Sequence, residues 1–223
     1  MVTKKNPPKK RYDTDFLILF TGYSKRLIKG RKGDVKNNVY PIYGFDKFTR
    51  KVRLIWNAAE LDNPYALWFL KRISDKLNIT EKLMDKREKE AKARFDDGLE
   101  IDYRLFNGTE EDKYPLNLKP PYSWALARLI KRYDDYCLIL LKQNSIGLIK
   151  DRAMQSSIEE MSKLILHAIN EAISYYDLKI MATDIENGTD AYEKAAEHMG
   201  IIPPNVLSGK LKADFLPKVK KVT

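Results

Sequence analysis

The residues with the types and spacing for recognition chemistry lie in Lys113-Tyr114-Pro115-Leu116-Asn117-Leu118-Lys119-Pro120-Pro121. Side chains alternate across a β-strand, so Leu116 and Leu118 share one side while Pro115, Asn117 and Lys119 share the other. In the DNA major groove, which admits a two-stranded ribbon, an Asn amide can bind adenine with two hydrogen bonds and a Lys ammonium can reach guanine O6 and N7. Asn117 and Lys119 are therefore candidate base readers. A lone strand leaves two rows of backbone groups unpaired. Pairing with the same strand of a twofold mate would satisfy one row and build such a ribbon. The same pattern also describes an ordinary edge strand with its polar side in water and Lys guarding against aggregation.

Further cations could hold phosphates: Lys113 beside the strand, Lys142 and Lys150 beyond the following helix, and Lys29, Arg31 and Lys32 in the glycine-punctuated run Arg26–Gly33. That run lacks the spacing of a P-loop, so no nucleotide site is assigned. Over 223 residues, 41 Lys and Arg outweigh 31 Asp and Glu, for a net charge of +10. Such a surplus favours polyanionic partners, nucleic acid before anionic membrane.

Several functions lose support. Cys137 is the single cysteine, which rules out an internal disulfide and a cysteine-based metal site within one chain. His167 and His198 are isolated, so no metal is expected. No Ser/His/Asp set or glycine-rich phosphate loop is present, and Asp134-Asp135 and Glu159-Glu160 are expected to face solvent; neither enzymatic activity nor a cofactor is expected. The basic start, Met1 to Arg11, is followed by no apolar signal region, and no apolar run is long enough to span a bilayer, so a cytoplasmic protein is expected.

The positioning elements follow from periodicity. Pro121 suits the first position of a helix whose apolar residues run from Trp124 through Leu126, Leu129, Ile130, Tyr133 and Cys137 to Leu141, stopping near Gly147. Ile158, Met161, Ile165, Ala168, Ile169, Ala172 and Tyr176 predict a second helix over about 154–176. Upstream, Phe45, Phe48, Val52, Ile55 and Ala59 predict a helix that ends near Asn63-Pro64, where Pro64 opens another. Its start is too apolar for a groove-reading helix, which argues against a helix-turn-helix. Ile79–Gly98 reads as a charged, exposed helix or spacer. Asp15–Phe20 reads as strand or helix start, and Leu99–Phe106 as a second candidate strand.

These elements suggest a mainly α fold with a short β-ribbon, in four regions: a disordered basic arm (1–12), an N-terminal helical region (13–98), a DNA-binding and dimerisation region (99–178), and a C-terminal helical appendage with a basic, poorly ordered tail (179–223).

Two resemblances meet in this sequence. The strand with its Leu-Asn-Leu-Lys core, feeding a helix through Pro120-Pro121, resembles the Arc-type ribbon-helix-helix module over about Lys113 to Tyr176. More broadly, Leu27-Ile28-Lys29-Gly30-Arg31, Tyr40-Pro41-Ile42-Tyr43-Gly44 and Ile55-Trp56-Asn57-Ala58-Ala59-Glu60-Leu61-Asp62-Asn63-Pro64-Tyr65-Ala66-Leu67-Trp68 resemble the AcaB-type regulators of conjugative plasmids and integrating conjugative elements. These resemblances imply a ribbon-helix-helix core with an added N-terminal helical region. They further imply a homodimer that binds double-stranded promoter DNA and activates conjugative-transfer genes. Pro115 takes one of the three groove-facing strand positions, so only Asn117 and Lys119 carry over as base readers. A competing reading is a non-catalytic accessory protein of the conjugation machinery, with Trp56, Tyr65 and Trp68 as a protein interface.

Overall fold

The computed structural model describes residues 15–34, 36–95, 111–116 and 118–220. Their order is β1 (Asp15–Leu19), α1 (Gly22–Lys29), α2 (Phe45–Ala59), α3 (Pro64–Ala93), β2 (Asp112–Leu116), α4 (Pro121–Ser145), α5 (Asp151–Ile173), α6 (Ala182–Asn187), α7 (Asp190–Met199) and α8 (Pro204–Leu207). The protein is thus mainly helical with one small sheet, as its periodicities imply.

The long helices α3, α4 and α5 pack against one another, and α2 lies across all three. The apolar stripes meet at their seams: Phe48, Val52, Ile55 and Ala59 from α2, Leu126, Ile130, Cys137 and Leu140 from α4, and Met161, Ile165, Ala168 and Ile169 from α5 are all fully buried. Each large apolar side chain so placed contributes about 1.5–3 kcal/mol of transfer free energy. Asn63 makes the corner between α2 and α3: its side chain accepts from the Ala66 amide at 3.1 Å and donates to the Leu178 carbonyl at 2.7 Å. No described helix is long and apolar enough to cross a membrane.

The sheet departs from expectation. The ribbon strand is Asp112–Leu116, and one of its edges pairs antiparallel with β1 of the same chain, Leu17 facing Tyr114 and Asp15 facing Leu116. The apolar run Asp15–Leu19 is a strand because Leu17 and Leu19 enter the core, which brings a partner to β2 within the chain. Pairing with a twofold mate is therefore left to the other edge of β2. The alternation does hold, with Tyr114 and Leu116 half-buried and Lys113 and Pro115 exposed. Asn117 and the candidate strand Leu99–Phe106 lie outside the described residues.

Two helix boundaries and the C-terminal tail also differ. The charged segment after Ile79 is no separate spacer: α3 continues through it to Ala93, and Thr80, Met84 and Ala91 are buried. α5 stops at Ile173, three residues short of Tyr176, so the chain leaves the helical period and buries Tyr175 while Tyr176 is exposed. The basic end is fastened rather than loose. Tyr122 Oη accepts from the Phe215 amide and donates to its carbonyl, both at 2.9 Å, and the Lys220 amide donates to the Glu60 carbonyl at 2.8 Å.

Candidate nucleic-acid interface

The basic run Arg26–Gly33 is half helix and half hairpin. Thr21 caps α1, with its side chain accepting from the Ser24 amide. The helix is held from behind by Asp134 of α4, which is fully buried. The Asp134 carboxylate accepts from the Phe20 and Thr21 amides at 3.0 and 2.9 Å, and the Thr21 and Ser24 hydroxyls lie 2.8 and 2.6 Å from it. This carboxylate meets the positive end of α1, where charge and backbone donors both favour an anion. Asp134 thus faces inward, contrary to the expectation for the Asp134-Asp135 pair, whereas Asp135 is exposed. A single buried position inside a charged pair has no signature in the sequence.

Beyond α1 the chain turns back on itself. Arg31 and Ile42 exchange backbone hydrogen bonds at 2.8 and 2.9 Å, and Asp34 and Val39 do so at 2.8 Å. At the tip, Asp34 accepts from the Asn37 side chain and from the Lys36 and Asn37 amides, which hold its carboxyl below the usual carboxylate range. The hairpin's base closes by contact of two glycines. A Cβ on Gly30, where φ is +66°, would lie 2.2 Å from the Ile42 carbonyl oxygen, and one on Gly44 would lie 2.3 Å from that of Ile28. Only glycine allows this approach.

The hairpin stands beside α2. Lys29, Arg31, Lys32, Tyr43, Lys47 and Arg50 line one open depression, and Arg50, Arg53, Leu118, Lys119, Pro120 and Ser123 line a second. Arg50 belongs to both, so the two are continuous. Its Nε donates to the Asp46 carbonyl at 3.1 Å, which fixes the stem of this exposed side chain. Lys119 stands just before α4 on an extended segment pinned by Trp124, whose Nε1 donates to the Leu118 carbonyl at 3.2 Å. Seven cations thus share one face: Lys29, Arg31, Lys32, Lys47, Arg50, Arg53 and Lys119. None of them enters an ion pair among the described residues, although the acid Asp46 lies among them.

The structure therefore brings Lys119 together with the Lys29/Arg31/Lys32 loop. It separates the other candidates. Lys113 is exposed on the outer side of β2 and pairs with Glu111 at 2.8 Å. Lys142 sits in the last turn of α4 and Lys150 caps α5. Twenty-three residues of mostly helical rise put Lys142 about 35 Å from Lys119. Lys47, Arg50 and Arg53 did not stand out in the sequence. Their three-residue spacing on the polar side of α2 was the available signal, since it places them in one row.

Of the three aromatics of the accessory reading, one is buried and two, Trp56 and Trp68, are half-buried. Tyr65 is fully buried and donates to the Gly200 carbonyl at 2.9 Å, Trp68 packs against Phe69 and under the Arg72 guanidinium, and Trp56 meets Tyr122 edge-on.

A contiguous face of cations that form no ion pair among the described residues suits a polyanion. Comparison with known families places the protein further: the family described as "Transcriptional regulator AcaB" matches residues 12–220. The chain belongs to that family. No curated protein and no solved structure gives a match.

Proposed function

We propose that this protein is a sequence-specific DNA-binding regulator that activates conjugative-transfer genes. The observation that carries the reading is the cation face: seven positive side chains from three segments converge around one acid, Asp46, and none of the seven forms an ion pair among the described residues. Lys29, Arg31, Lys32, Lys47, Arg50 and Arg53 contact phosphates, which supplies affinity and sets orientation without reading sequence. Asn117 and Lys119 read base edges, Lys119 from the edge of that face. The protein acts as a homodimer in which the edge of β2 away from β1 pairs with its copy, extending the β1–β2 pair into a longer ribbon across the twofold axis. Each good base contact discriminates by about 1–3 kcal/mol.

The test is a footprint on promoter fragments of the element that carries the gene, followed by gel shifts in competitor DNA. The parent protein should protect paired half-sites. Asn117→Ala and Lys119→Ala should lose preference for that site while retaining the folded state. Equal retention of the specific fragment by both variants would refute the base-reading assignment. An association that competitor DNA abolishes would refute sequence-specific binding altogether.

A further inference from the structure

The N-terminus of α4 adjoins the cation face. Pro120 occupies its cap position and makes no side-chain capping bond, and Pro121 fills the first helical position. The opening amides of a helix lack intrahelical acceptors and carry a partial positive charge. Here they border the depression of about 120 Å³ that Thr49, Arg50, Arg53, Lys119 and Ser123 line. Ser123 is only 1 % exposed, and its Oγ is buried with no hydrogen-bond partner. A buried hydroxyl without a partner costs about 1–3 kcal/mol, and native structures reserve such groups for a reason. Two arginines, a lysine, an uncapped helix start and an unsatisfied hydroxyl share one requirement, a small oxyanion.

We propose that this depression is a phosphate-binding site, and that its occupant is one backbone phosphate of the bound DNA. The assignment rests on the DNA-binding reading and adds to it. Arg50 and Arg53 flank the phosphate, Ser123 Oγ donates to one of its oxygens, and the helix start faces another. Lys119 lies in the same wall, so a phosphate seated here fixes the adjacent segment at a set depth over the groove. Ser123 and Arg53 are positioning residues in this account; neither reads a base.

The structure makes an unusual demand on Ser123→Ala. Removal of an unsatisfied hydroxyl should leave the unfolding temperature unchanged or raise it. A hydroxyl that is only structural would do nothing more. A hydroxyl that donates to phosphate should, when removed, weaken DNA binding about tenfold, as expected for a bond to a charged acceptor. Arg53→Gln should weaken binding similarly and lower the slope of log affinity against log salt by about one. The decisive measurement uses the footprinted duplex with one phosphate at a time replaced by a neutral methylphosphonate. The parent should lose affinity sharply at one position per half-site, and Ser123→Ala and Arg53→Gln should lose nothing further there. Purely additive losses at every position, with the parent still bound specifically, would overturn the site and leave the DNA reading standing. A parent that ignores duplex DNA would overturn both. If a parent that ignores duplex DNA is nevertheless stabilised by inorganic phosphate, matched in ionic strength to chloride, while Ser123→Ala is not, the occupant is a small phosphorylated molecule instead of DNA.

Discussion

Around Arg132 the seams between the long helices are laced by ion pairs. The Arg132 guanidinium meets Asp85 at 2.6 Å, Glu88 at 3.0 Å and Glu81 at 3.8 Å, while Arg87 joins Glu90 and Glu160 at 3.0 and 2.8 Å. These pairs span the α3–α4 and α3–α5 seams. Around Arg50 the same residue types are left without acidic partners, although their positions on exposed helix and hairpin surfaces would admit them. Isolated surface pairs contribute about 0–1 kcal/mol each, so the Arg132 seam adds modestly to stability and more to alignment of its helices. The Arg50 face gains nothing of the kind and pays in mutual repulsion. A like-charged surface of this sort raises the local concentration of a polyanion and speeds its arrival. One region spends its charge internally; the other leaves it unpaired among the described residues, as the proposed DNA contact requires.

The comparison breaks most severely at Asp134. Asp134→Ala should destabilise the protein by about 3–5 kcal/mol, because at least two buried donors at the start of α1 lose their acceptor at about 1–3 kcal/mol each. Urea unfolding measures this. The loss should concentrate in the platform of the cation face: hydrogen exchange should rise in β1 and α1 before it rises in the α3–α4 seam. A smaller effect is expected at the hairpin. Gly30→Ala places a side chain at positive φ and drives its Cβ against the Ile42 carbonyl, a cost of about 3 kcal/mol from strain and overpacking. Non-specific DNA affinity should fall with it, since Arg31 and Lys32 ride on that turn, whereas the Arg132 seam should stay intact.

The charges themselves give the third prediction. Arg50→Ala should weaken DNA binding about tenfold near 100 mM salt and reduce the salt slope by about one, as for one lost phosphate contact. Arg132→Ala should leave affinity and slope unchanged and lower stability by about 1 kcal/mol. Equal effects of the two on DNA binding would erase the distinction between the regions.

The helices were legible in the sequence because α2, α4 and α5 bury continuous stripes, and a 3.6-residue period survives whatever packs against it. The cation face was legible in part. Lys29, Arg31 and Lys32 announce themselves by clustering, and Lys119 by its place in the ribbon pattern. Lys47, Arg50 and Arg53 look like any solvated helix face until the hairpin is seen beside them. The partner of β2 was hidden for another reason: Asp15–Leu19 lies about a hundred residues away, and no local pattern names a long-range strand pair. Ser123 was invisible in principle, since its interest lies in a hydrogen bond it does not make.

The C-terminal strap gives the smallest and most specific effect. Asp214 accepts from the Asn78 side chain and from the Ser74 hydroxyl, both at 2.7 Å, and these bonds, led by that of Asn78, hold its carboxyl below the usual carboxylate range. A group whose pKa is lower when folded contributes stability above its unfolded value near 3.8, and that contribution fades as pH falls through the folded value. Between pH 7 and pH 5 the strap should therefore be unaffected, and below about pH 4 it should begin to detach from α3. Limited proteolysis after Leu211 reads this directly. The parent should become cleavable there only in the acidic range, whereas Asp214→Asn, which loses the charge but keeps an acceptor, should show a weaker dependence on pH. DNA binding at neutral pH should be the same for both, because the strap crosses α3 and Tyr122 on the side of Arg132. If Asp214→Asn instead altered DNA affinity at pH 7, the two faces would be coupled through Tyr122, one residue before Ser123 in α4, and the separation of charge roles would give way to a linked pair.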